Sequence, residues 1–300
     1  MTGAIDHDEA RARIEALAIW QGSIAIEPLK GGISNESWIV TDATGRHVVR
    51  FGDDYPFHHV ERAREVMTSR AASEAGFAPD LLHSAPGVMV TRYLGARTYA
   101  AADVRANIER IAALVRGFHR EMPHHVSGPG FMFWPFHVIR DYARTLERAE
   151  SRMRAQLPRY VALATALEAV QVPLPVVFGH NDLLPANLLD DGTRLWLIDF
   201  EYAGFSTALF DLAGLASNAG FDAAETEALM TVYFGTPPDD ALRRAMAAMQ
   251  CASLLREAMW SMVSELYLNA PGTDYHAYTE DNLERFAAAL EQYQTQHGSL

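Results

Sequence analysis

The sequence has a single cysteine, no run of basic residues and no apolar run long enough to span a membrane. Cys251 has no partner cysteine in the chain, which excludes an internal disulfide framework and favours a reducing cytoplasm. Nucleic-acid binders need clustered Lys and Arg, whereas the net charge here is −13. No apolar run reaches the ~18 residues of a membrane span, and the acidic N-terminal segment lacks the apolar core of a signal peptide. We therefore expect a cytoplasmic protein that binds neither nucleic acid nor membranes.

The chain has 300 residues, of which 49% are hydrophobic, enough for one large or two medium-sized domains with a substantial core. Its periodicity changes near Gly95. Before this point alternating apolar and polar residues predict short strands, and after it apolar residues at helical spacing predict mainly helices. For the first part, the pattern predicts helices over 6–18 and 58–75 and strands over 37–40, 47–51, 81–84 and 88–94.

The most informative stretch runs from Val176 to Asp211. An apolar run at 176–178 predicts a strand, and a polar loop over 180–187 follows it. The Asp191-Gly192 pair between two further apolar runs predicts a hairpin, because glycine accepts the positive φ that such a turn needs. These elements would bring three oxygen-bearing side chains to strand ends that meet at one place, namely Asp182, Asn187 and Asp199.

Oxygen donors in this pattern suit a hard cation such as Mg²⁺. Phosphoryl transfer from ATP uses an aspartate beside the attacking hydroxyl, and an Asn and a second Asp that hold metal on the phosphates. Asp182 and Asn187 keep the spacing of the protein-kinase catalytic loop, and Asp199 lies in Ile-Asp-Phe-Glu where protein kinases have Asp-Phe-Gly. The pattern predicts Asp182 as the residue that orients and deprotonates the acceptor hydroxyl, and Asn187 and Asp199 as Mg²⁺ ligands. The loop spacing alone also fits an ordinary polar turn.

The segment His-Asn-Asp-Leu-Leu-Pro-Ala-Asn-Leu-Leu, followed by Leu-Ile-Asp-Phe-Glu-Tyr-Ala-Gly, resembles the bacterial members of the choline/ethanolamine kinase family. That family belongs with the aminoglycoside phosphotransferases in the protein-kinase-like fold. The resemblance implies a two-lobed α+β fold. The N-lobe, about residues 1–93, would be a small antiparallel sheet that binds nucleotide phosphates. The C-lobe, about 94–300, would be mostly helical and hold the catalytic loop and acceptor site. ATP and Mg²⁺ are the implied cofactors, and a small amino alcohol is the implied acceptor.

The resemblance extends to the nucleotide side of the N-lobe. Gly31, Gly32 and Asn35 match the family's Gly-Gly-x-x-Asn loop over the ATP phosphates, where missing Cβ atoms let backbone amides approach. By itself this pair of glycines also fits an ordinary hairpin loop. The segment Thr-Arg-Tyr-Leu-Gly would be the hinge between the lobes, and the main chain of Arg92 and Leu94 would bind adenine.

Arg50 stands on the third predicted strand, where protein kinases place a lysine, and its guanidinium can contact the α- and β-phosphates. Its expected partner is Glu65, because the Arg-x-x-Glu segment that ends there matches the bacterial choline kinases; Glu61 is the weaker candidate. Asp211, in Phe-Asp-Leu, would brace the catalytic loop through backbone hydrogen bonds.

The acceptor site of the family is formed by late C-lobe aromatics and acids, which suit a cation without N–H donors. Glu257 and Trp260 are three residues apart and would share a helix face. Asp-Tyr-His-Ala-Tyr at 274–278 matches the family's Asp-Tyr-x-x-Tyr. The residues assigned to the acceptor by this resemblance are Trp260, Glu257, Tyr275, Tyr278 and Asn218, with Glu201 at the acceptor or at a second metal.

Three alternatives stay open at this stage. Eukaryotic choline kinases have two tryptophans where this chain has Glu257 and Trp260, and Asn218 replaces an acid, so ethanolamine competes with choline. The aromatic residues also fit ordinary core positions. An aminoglycoside phosphotransferase would share the fold and the loop, but it needs a broad acidic pocket. A catalytically silent scaffold that binds nucleotide is the third interpretation, and the intact acidic set at the catalytic loop argues against it.

Overall fold

The computed structural model describes residues 7–29, 36–268, 270 and 272–300, so the predicted phosphate loop with Gly31, Gly32 and Asn35 lies outside the described residues. The first part of the chain forms a five-stranded antiparallel sheet in the order β1-β2-β3-β5-β4. Helix α1 (His7–Glu15) precedes it, and α2 (Arg62–Glu74) connects β3 to β4. The strands are β1 (Ala25–Leu29), β2 (Glu36–Asp42), β3 (Gly45–Phe51), β4 (Leu81–Ala85) and β5 (Val88–Arg92).

Alternation of apolar side chains holds this sheet together. On β3, Val49 and Phe51 are buried and Arg50 between them is only partly covered, as expected for a strand with one face on a core. The sheet packs with α1 into a small separate core formed by Ala10, Ile14, Trp38, Val40, Val49, Phe51, Val88 and Val90. The central position of β3 in the sheet fixes the backbone of Arg50, whose side chain is described below.

The rest of the chain is mainly helical and surrounds two short sheets, so the predicted two-lobed α+β kinase-like fold is confirmed. β5 ends at Arg92, close to the expected lobe boundary at residues 93 and 94, which stays a prediction. No described helix is long and apolar enough to cross a membrane. The remaining helices are α3 (Ala101–Ala106), α4 (Ile108–Glu121), α5 (Pro135–Arg148), α6 (Leu157–Ala169), α7 (Ala208–Ala219), α8 (Ala223–Phe234), α9 (Asp240–Tyr267) and α10 (Tyr275–His297), and the strands are β6 (Arg97–Thr98), β7 (Val176–Gly179), β8 (Leu188–Asp190), β9 (Leu195–Leu197) and β10 (Gly204–Thr207).

The helix predicted over 58–75 begins only at Arg62, so its predicted start is wrong. Residues Pro56–His58 form a 3₁₀ turn instead, and Tyr55 pairs with Val60 across it. His59 has φ 62°, a left-handed conformation that cannot continue a right-handed helix. The connection between β3 and α2 is therefore a compact turn that contacts α9 of the helical lobe.

The predicted hairpin is present as β8 and β9, which pair in antiparallel register with Leu188 opposite Leu197. β7 pairs with β10, and Gly179 lies opposite Gly204. A Cβ at Gly179 would lie only 2.7 Å from Oδ1 of Asn181, so the start of the catalytic loop has no room for a larger residue. The pairing of β7 with β10 connects the start of the loop between β7 and β8 to the chain that follows β9.

Asp211 in the first turn of α7 braces this loop, as the sequence predicts. Its buried carboxylate accepts the backbone amides of His180 at 2.8 Å and Asn181 at 2.6 Å, and Nε2 of His119 at 2.7 Å. Nδ1 of His119 lies 2.7 Å from the hydroxyl of Tyr233. Burial alone would raise the pKa of Asp211, but the hydrogen bonds and the nearby histidines outweigh it and hold that pKa below its usual value.

We predict that Asp211→Ala lowers the free energy of unfolding by roughly 3–5 kcal/mol, since it removes the charged partner of three buried donors. A folded-state pKa below the unfolded value means that this stabilisation is complete at neutral pH and is lost as the pH falls through the lowered pKa. Urea unfolding at neutral and acidic pH measures both effects. Asp240→Ala is the control, because Asp240 is fully exposed in its pair with Arg243, and little change is expected there. Equal urea midpoints for the two variants would contradict the role of Asp211 as a brace of the catalytic loop.

Candidate active site

The catalytic loop presents Asp182 from a strained backbone. Asn181 before it has φ 62°, a conformation that asparagine adopts more readily than most residues. Nδ2 of Asn181 donates to the carbonyls of Tyr202 at 3.0 Å and Gly204 at 3.2 Å, which ties the loop to the segment after β9. Burial raises the pKa of Asp182 well above its usual value, and Arg256 is the cation that opposes this.

Asn187 and Asp199 provide the predicted metal ligands. Nδ2 of Asn187 donates to the carbonyl of Asp182 at 2.9 Å, which leaves Oδ1 as the atom that can coordinate a cation. Asp199 has φ 68° and is half-buried. Among the residues described, no group of three or more His, Cys, Asp or Glu could hold a metal by itself. One carboxylate and one amide fit Mg²⁺, which takes its other ligands from phosphates and water.

Arg50 lies at the centre of a buried ion-pair cluster. Its Nη2 is 2.5 Å from Oε1 of Glu65 and 3.6 Å from Oε2 of Glu201, and its Nη1 is 3.0 Å from Oδ1 of Asp199. The predicted pair of Arg50 with Glu65 is therefore present. Glu61, the weaker candidate, has 69% of its side chain exposed and lies 3.8 Å from Arg64 on the same helix.

Arg62, the first residue of the Arg-x-x-Glu segment, is a second arginine in this cluster, and the sequence analysis gave it no role. Its Nη1 lies 2.6 Å from Glu65 and 3.0 Å from Glu201, and its Nε donates to the carbonyl of Asp53 at 2.8 Å. The three-residue spacing of Arg62 and Glu65 on one helix face is the signal that could have identified it. Burial raises the pKa of Glu201 and the two arginines oppose this, so Glu201 belongs to the ion-pair cluster. Its role at the acceptor or at a second metal stays a prediction.

Part of the predicted hinge segment already forms hydrogen bonds within the protein. The backbone amide of Arg92 donates to the carbonyl of Asp80 at 2.9 Å, and its side chain pairs with the Asp80 carboxylate at 2.8 Å. The amide of Tyr93 donates to the carbonyl of Arg46 at 3.0 Å, and Leu94 follows as a half-buried residue. An adenine contact from Arg92 would have to use its carbonyl oxygen, and the assignment of Arg92 and Leu94 stays a prediction.

Four of the predicted acceptor residues lie together where α9 meets α10. The hydroxyl of Tyr278 donates to Oε1 of Glu257 at 2.9 Å, and the rings of Tyr275 and Tyr278 meet Trp260 edge-on at 6.1 Å between centroids. Asn218 is half-buried in the last turn of α7, and the described residues show no hydrogen bond from it to these four side chains. The structure thus forms a cluster of aromatic rings and one carboxylate, to which Asn218 is not joined.

Trp260 is itself held on several sides and is only 8% exposed. Its Nε1 donates to the hydroxyl of Tyr202 at 2.9 Å, and the ring of His58 stacks on it at 5.0 Å. Nε2 of His58 lies 2.9 Å from the hydroxyl of Ser264, and its Nδ1 lies 3.2 Å from that of Tyr142. Burial lowers the pKa of His58 well below its usual value, so this histidine is neutral and structural.

Arg256 is the other residue that the sequence analysis missed. It is 4% exposed, its Nη1 pairs with Oε2 of Glu257 at 2.6 Å, and its guanidinium lies over the ring of Tyr202 at 5.1 Å. Its Nη2 lies 3.4 Å from the carbonyl of Asn181 in the catalytic loop. An Arg-Glu pair between apolar residues of one helix, after Leu-Leu and before Ala-Met-Trp, is the signal that could have found it.

Comparison with known proteins agrees with this geometry. Residues 25–250 match the phosphotransferase enzyme family. A choline/ethanolamine kinase family protein from Mesorhizobium loti is 31% identical, with 95% of this chain and 94% of that chain covered and a TM-score of 0.78. The choline kinase LicA from Streptococcus pneumoniae is 20% identical, with 95% and 98% covered and a TM-score of 0.76, which shows the shared fold.

Among curated proteins, a probable ethanolamine kinase from Arabidopsis thaliana is 29% identical over 220 residues. That match covers 66% of this chain and 57% of the Arabidopsis protein, so the chain spans less than two thirds of that relative's length. The family match, by contrast, covers most of this chain, and the Mesorhizobium protein is matched almost from end to end. The chain therefore belongs to the phosphotransferase enzyme family and, within it, to the choline/ethanolamine kinase family.

Proposed function

We propose that this protein transfers a phosphoryl group from ATP to the hydroxyl of a small amino alcohol, choline or ethanolamine. The observation that carries the proposal is the position of Asp182. Its own carbonyl accepts a hydrogen bond from Asn187, a candidate metal ligand, at 2.9 Å, and the carbonyl of the preceding residue lies 3.4 Å from Arg256 of α9, which pairs with Glu257. The candidate general base thus lies between a phosphate-binding cluster and an aromatic cluster that suits an ammonium group. We place the reaction in the cytoplasm, where ATP is available and the buried Cys251 stays reduced.

In the proposed reaction Asp182 orients the acceptor hydroxyl and accepts its proton. Its pKa, raised by burial, makes the ionised carboxylate a stronger base than an exposed aspartate. Bound Mg²⁺ would neutralise charge on the phosphates, and Asn187 and Asp199 are the residues that would hold it. Arg50, fixed by Glu65, would contact the phosphates from the N-lobe side. The glycine loop at 31–32 with Asn35 would cover them, as it does in the family.

On the acceptor side, Trp260, Tyr275 and Tyr278 supply aromatic surface and Glu257 supplies negative charge. Aromatic faces attract quaternary and primary ammonium groups alike, whereas a carboxylate additionally accepts N–H hydrogen bonds. Glu257 is half-buried and already accepts one hydrogen bond from Tyr278. Three aromatic rings with one carboxylate suit a compact ammonium group better than a polycationic antibiotic, which requires a broad acidic surface.

The proposal predicts release of ADP from Mg-ATP with choline or ethanolamine as acceptor, and none with an aminoglycoside. A coupled ADP assay against choline, ethanolamine, two partly methylated amino alcohols and one aminoglycoside tests this. Turnover on the aminoglycoside alone would contradict the proposed acceptor but would still support phosphoryl transfer from ATP. Nucleotide binding without turnover on any acceptor would favour a silent nucleotide-binding scaffold.

Asp182→Asn should lower kcat by roughly 10²–10⁴-fold, the usual contribution of a positioned general base. Nucleotide affinity, measured by calorimetry, should stay near wild type because the metal and phosphate ligands are intact. Asp190→Asn is the matched control: Asp190 lies on β8 and pairs with Arg110 at 2.9 Å, so turnover should be unaffected. Activity of Asp182→Asn close to that of wild type would exclude this residue as the base.

Asp199→Asn should abolish most of the gain in ATP affinity that Mg²⁺ gives the wild-type protein, by about tenfold or more, since one metal ligand is neutralised. Without metal the variant should bind ATP at least as well as wild type, because Arg50 no longer pairs with Asp199 and is available to the phosphates. Calorimetric titration of ATP with and without Mg²⁺ measures both effects. Asp182→Asn serves as the control that keeps the Mg²⁺ effect, and an equal Mg²⁺ effect in both variants would rule out Asp199 as the ligand.

A further inference from the structure

We propose that Arg256 determines which acceptors bind: by pairing with Glu257, it offsets one negative charge on the acceptor side, so that the site binds acceptors with one positive charge in preference to acceptors with two. This inference rests on the proposed function, because it assigns a property to the acceptor side of the same site. It concerns a residue that the sequence patterns of the site did not include.

The contacts of Arg256 are those of a fixed internal cation. Its side chain is almost fully buried, and Nη1 is 2.6 Å from the carboxylate of Glu257. Nη2 points to the carbonyl of Asn181, the residue directly before Asp182, at 3.4 Å. Arg256 is held by a carboxylate and by a catalytic-loop carbonyl. If it moved aside when a substrate enters, the carboxylate of Glu257 would lose its charged partner.

Arg256 also lies against buried aromatic rings. Its guanidinium lies 5.1 Å from the ring centre of Tyr202, 5.6 Å from that of Phe133 and 6.0 Å from that of Phe210. Tyr202 in turn accepts the hydrogen bond from Nε1 of Trp260 at 2.9 Å. The internal cation and the acceptor cluster therefore use different rings and are direct neighbours.

The charges on the acceptor side can be counted from these contacts. Glu257 is negative and Arg256 is positive, so the charges of this pair offset each other, and the catalytic carboxyl of Asp182 is the other acidic group on this side. Burial lowers the pKa of His58 and raises the pKa values of Tyr202 and Tyr278, so these three groups are neutral at physiological pH. The carboxylates of Asp199 and Glu201 already pair with Arg50 and Arg62. One ammonium group can use the aromatic rings and the Asp182 carboxyl, whereas a second positive charge would face Arg256 without a counter-charge.

The test compares two acceptors that differ by one amine: ethanolamine and a diaminopropanol, at slightly acidic pH, where all amines are protonated. Affinities are measured by calorimetry with Mg²⁺ and a non-hydrolysable ATP analogue, so that the result does not depend on turnover. Wild type should prefer ethanolamine. Arg256→Gln leaves the charge of Glu257 without its partner and should shift the affinity ratio towards the diamine by at least about tenfold, the change that 1.4 kcal/mol produces.

Two further variants separate charge from structural damage. Glu257→Gln leaves the positive charge of Arg256 without its partner and should weaken the binding of both amines. The double variant R256Q/E257Q removes both charges and restores the net charge of the wild-type site, so it should bind ethanolamine more tightly than E257Q does. A merely structural role of Arg256 would make the double variant weaker still. This second comparison holds even where Arg256→Gln alone folds poorly, and thermal unfolding monitors all variants.

Three results would each overturn the inference. They are an unchanged ratio of ethanolamine affinity to diamine affinity in R256Q, a double variant that binds ethanolamine no more tightly than E257Q, and no binding of either amine to wild type. The outcomes distinguish it from the proposed function. If wild type phosphorylates ethanolamine but R256Q has an unchanged amine affinity ratio, only the inference about Arg256 is wrong. If the affinities follow the expected pattern but no phosphorylated product forms, only the proposed function is wrong.

Discussion

The buried carboxylate of Asp211 is the constraint on which the site depends. It holds two consecutive backbone amides of the catalytic loop and the ring of His119, and it fixes the left-handed backbone of Asn181. A loop with such a backbone is costly unless its surroundings determine it. The direction in which Asp182 points is therefore set by a helix that has no part in the chemistry, and the loop is placed before any ligand binds.

Charge balance is the second constraint, because five ionisable groups lie close to one another on the nucleotide side. Arg50 and Arg62 face Glu65, Asp199 and Glu201, so acidic side chains exceed basic ones by one in this cluster, which suits a bound metal ion. On the acceptor side Arg256 likewise offsets the carboxylate of Glu257. On both sides buried arginines thus compensate carboxylates that would be costly to bury alone.

The sequence predicts the parts of this arrangement that depend on local spacing. Asp182, Asn187 and Asp199 follow from a loop and a hairpin, and the pair of Arg50 with Glu65 follows from a strand and the next helix. The roles of Arg256 and His58 depend instead on which elements meet in space. Nothing in a helix pattern states that Arg256 will reach the carbonyl of Asn181, 75 residues earlier, or that a turn will replace the first residues of α2. Tertiary packing overrides helix periodicity at His59, where the backbone takes a positive φ.

That turn links the two halves of the site mechanically. Its His58 stacks on Trp260 and bonds to Ser264 of α9, and a few residues later the same chain enters α2 and places Arg62 and Glu65 against Arg50. Phe57 in the same turn stacks on Tyr267 at 4.9 Å, so the contact with α9 extends over two turns of that helix. Because packed side chains transmit displacement with little loss, the aromatic cluster cannot move far without moving the N-terminal end of α2. The ion pair that positions Arg50 and the rings that face the acceptor are thus connected through one turn, which packs on the helical lobe and leads directly into α2.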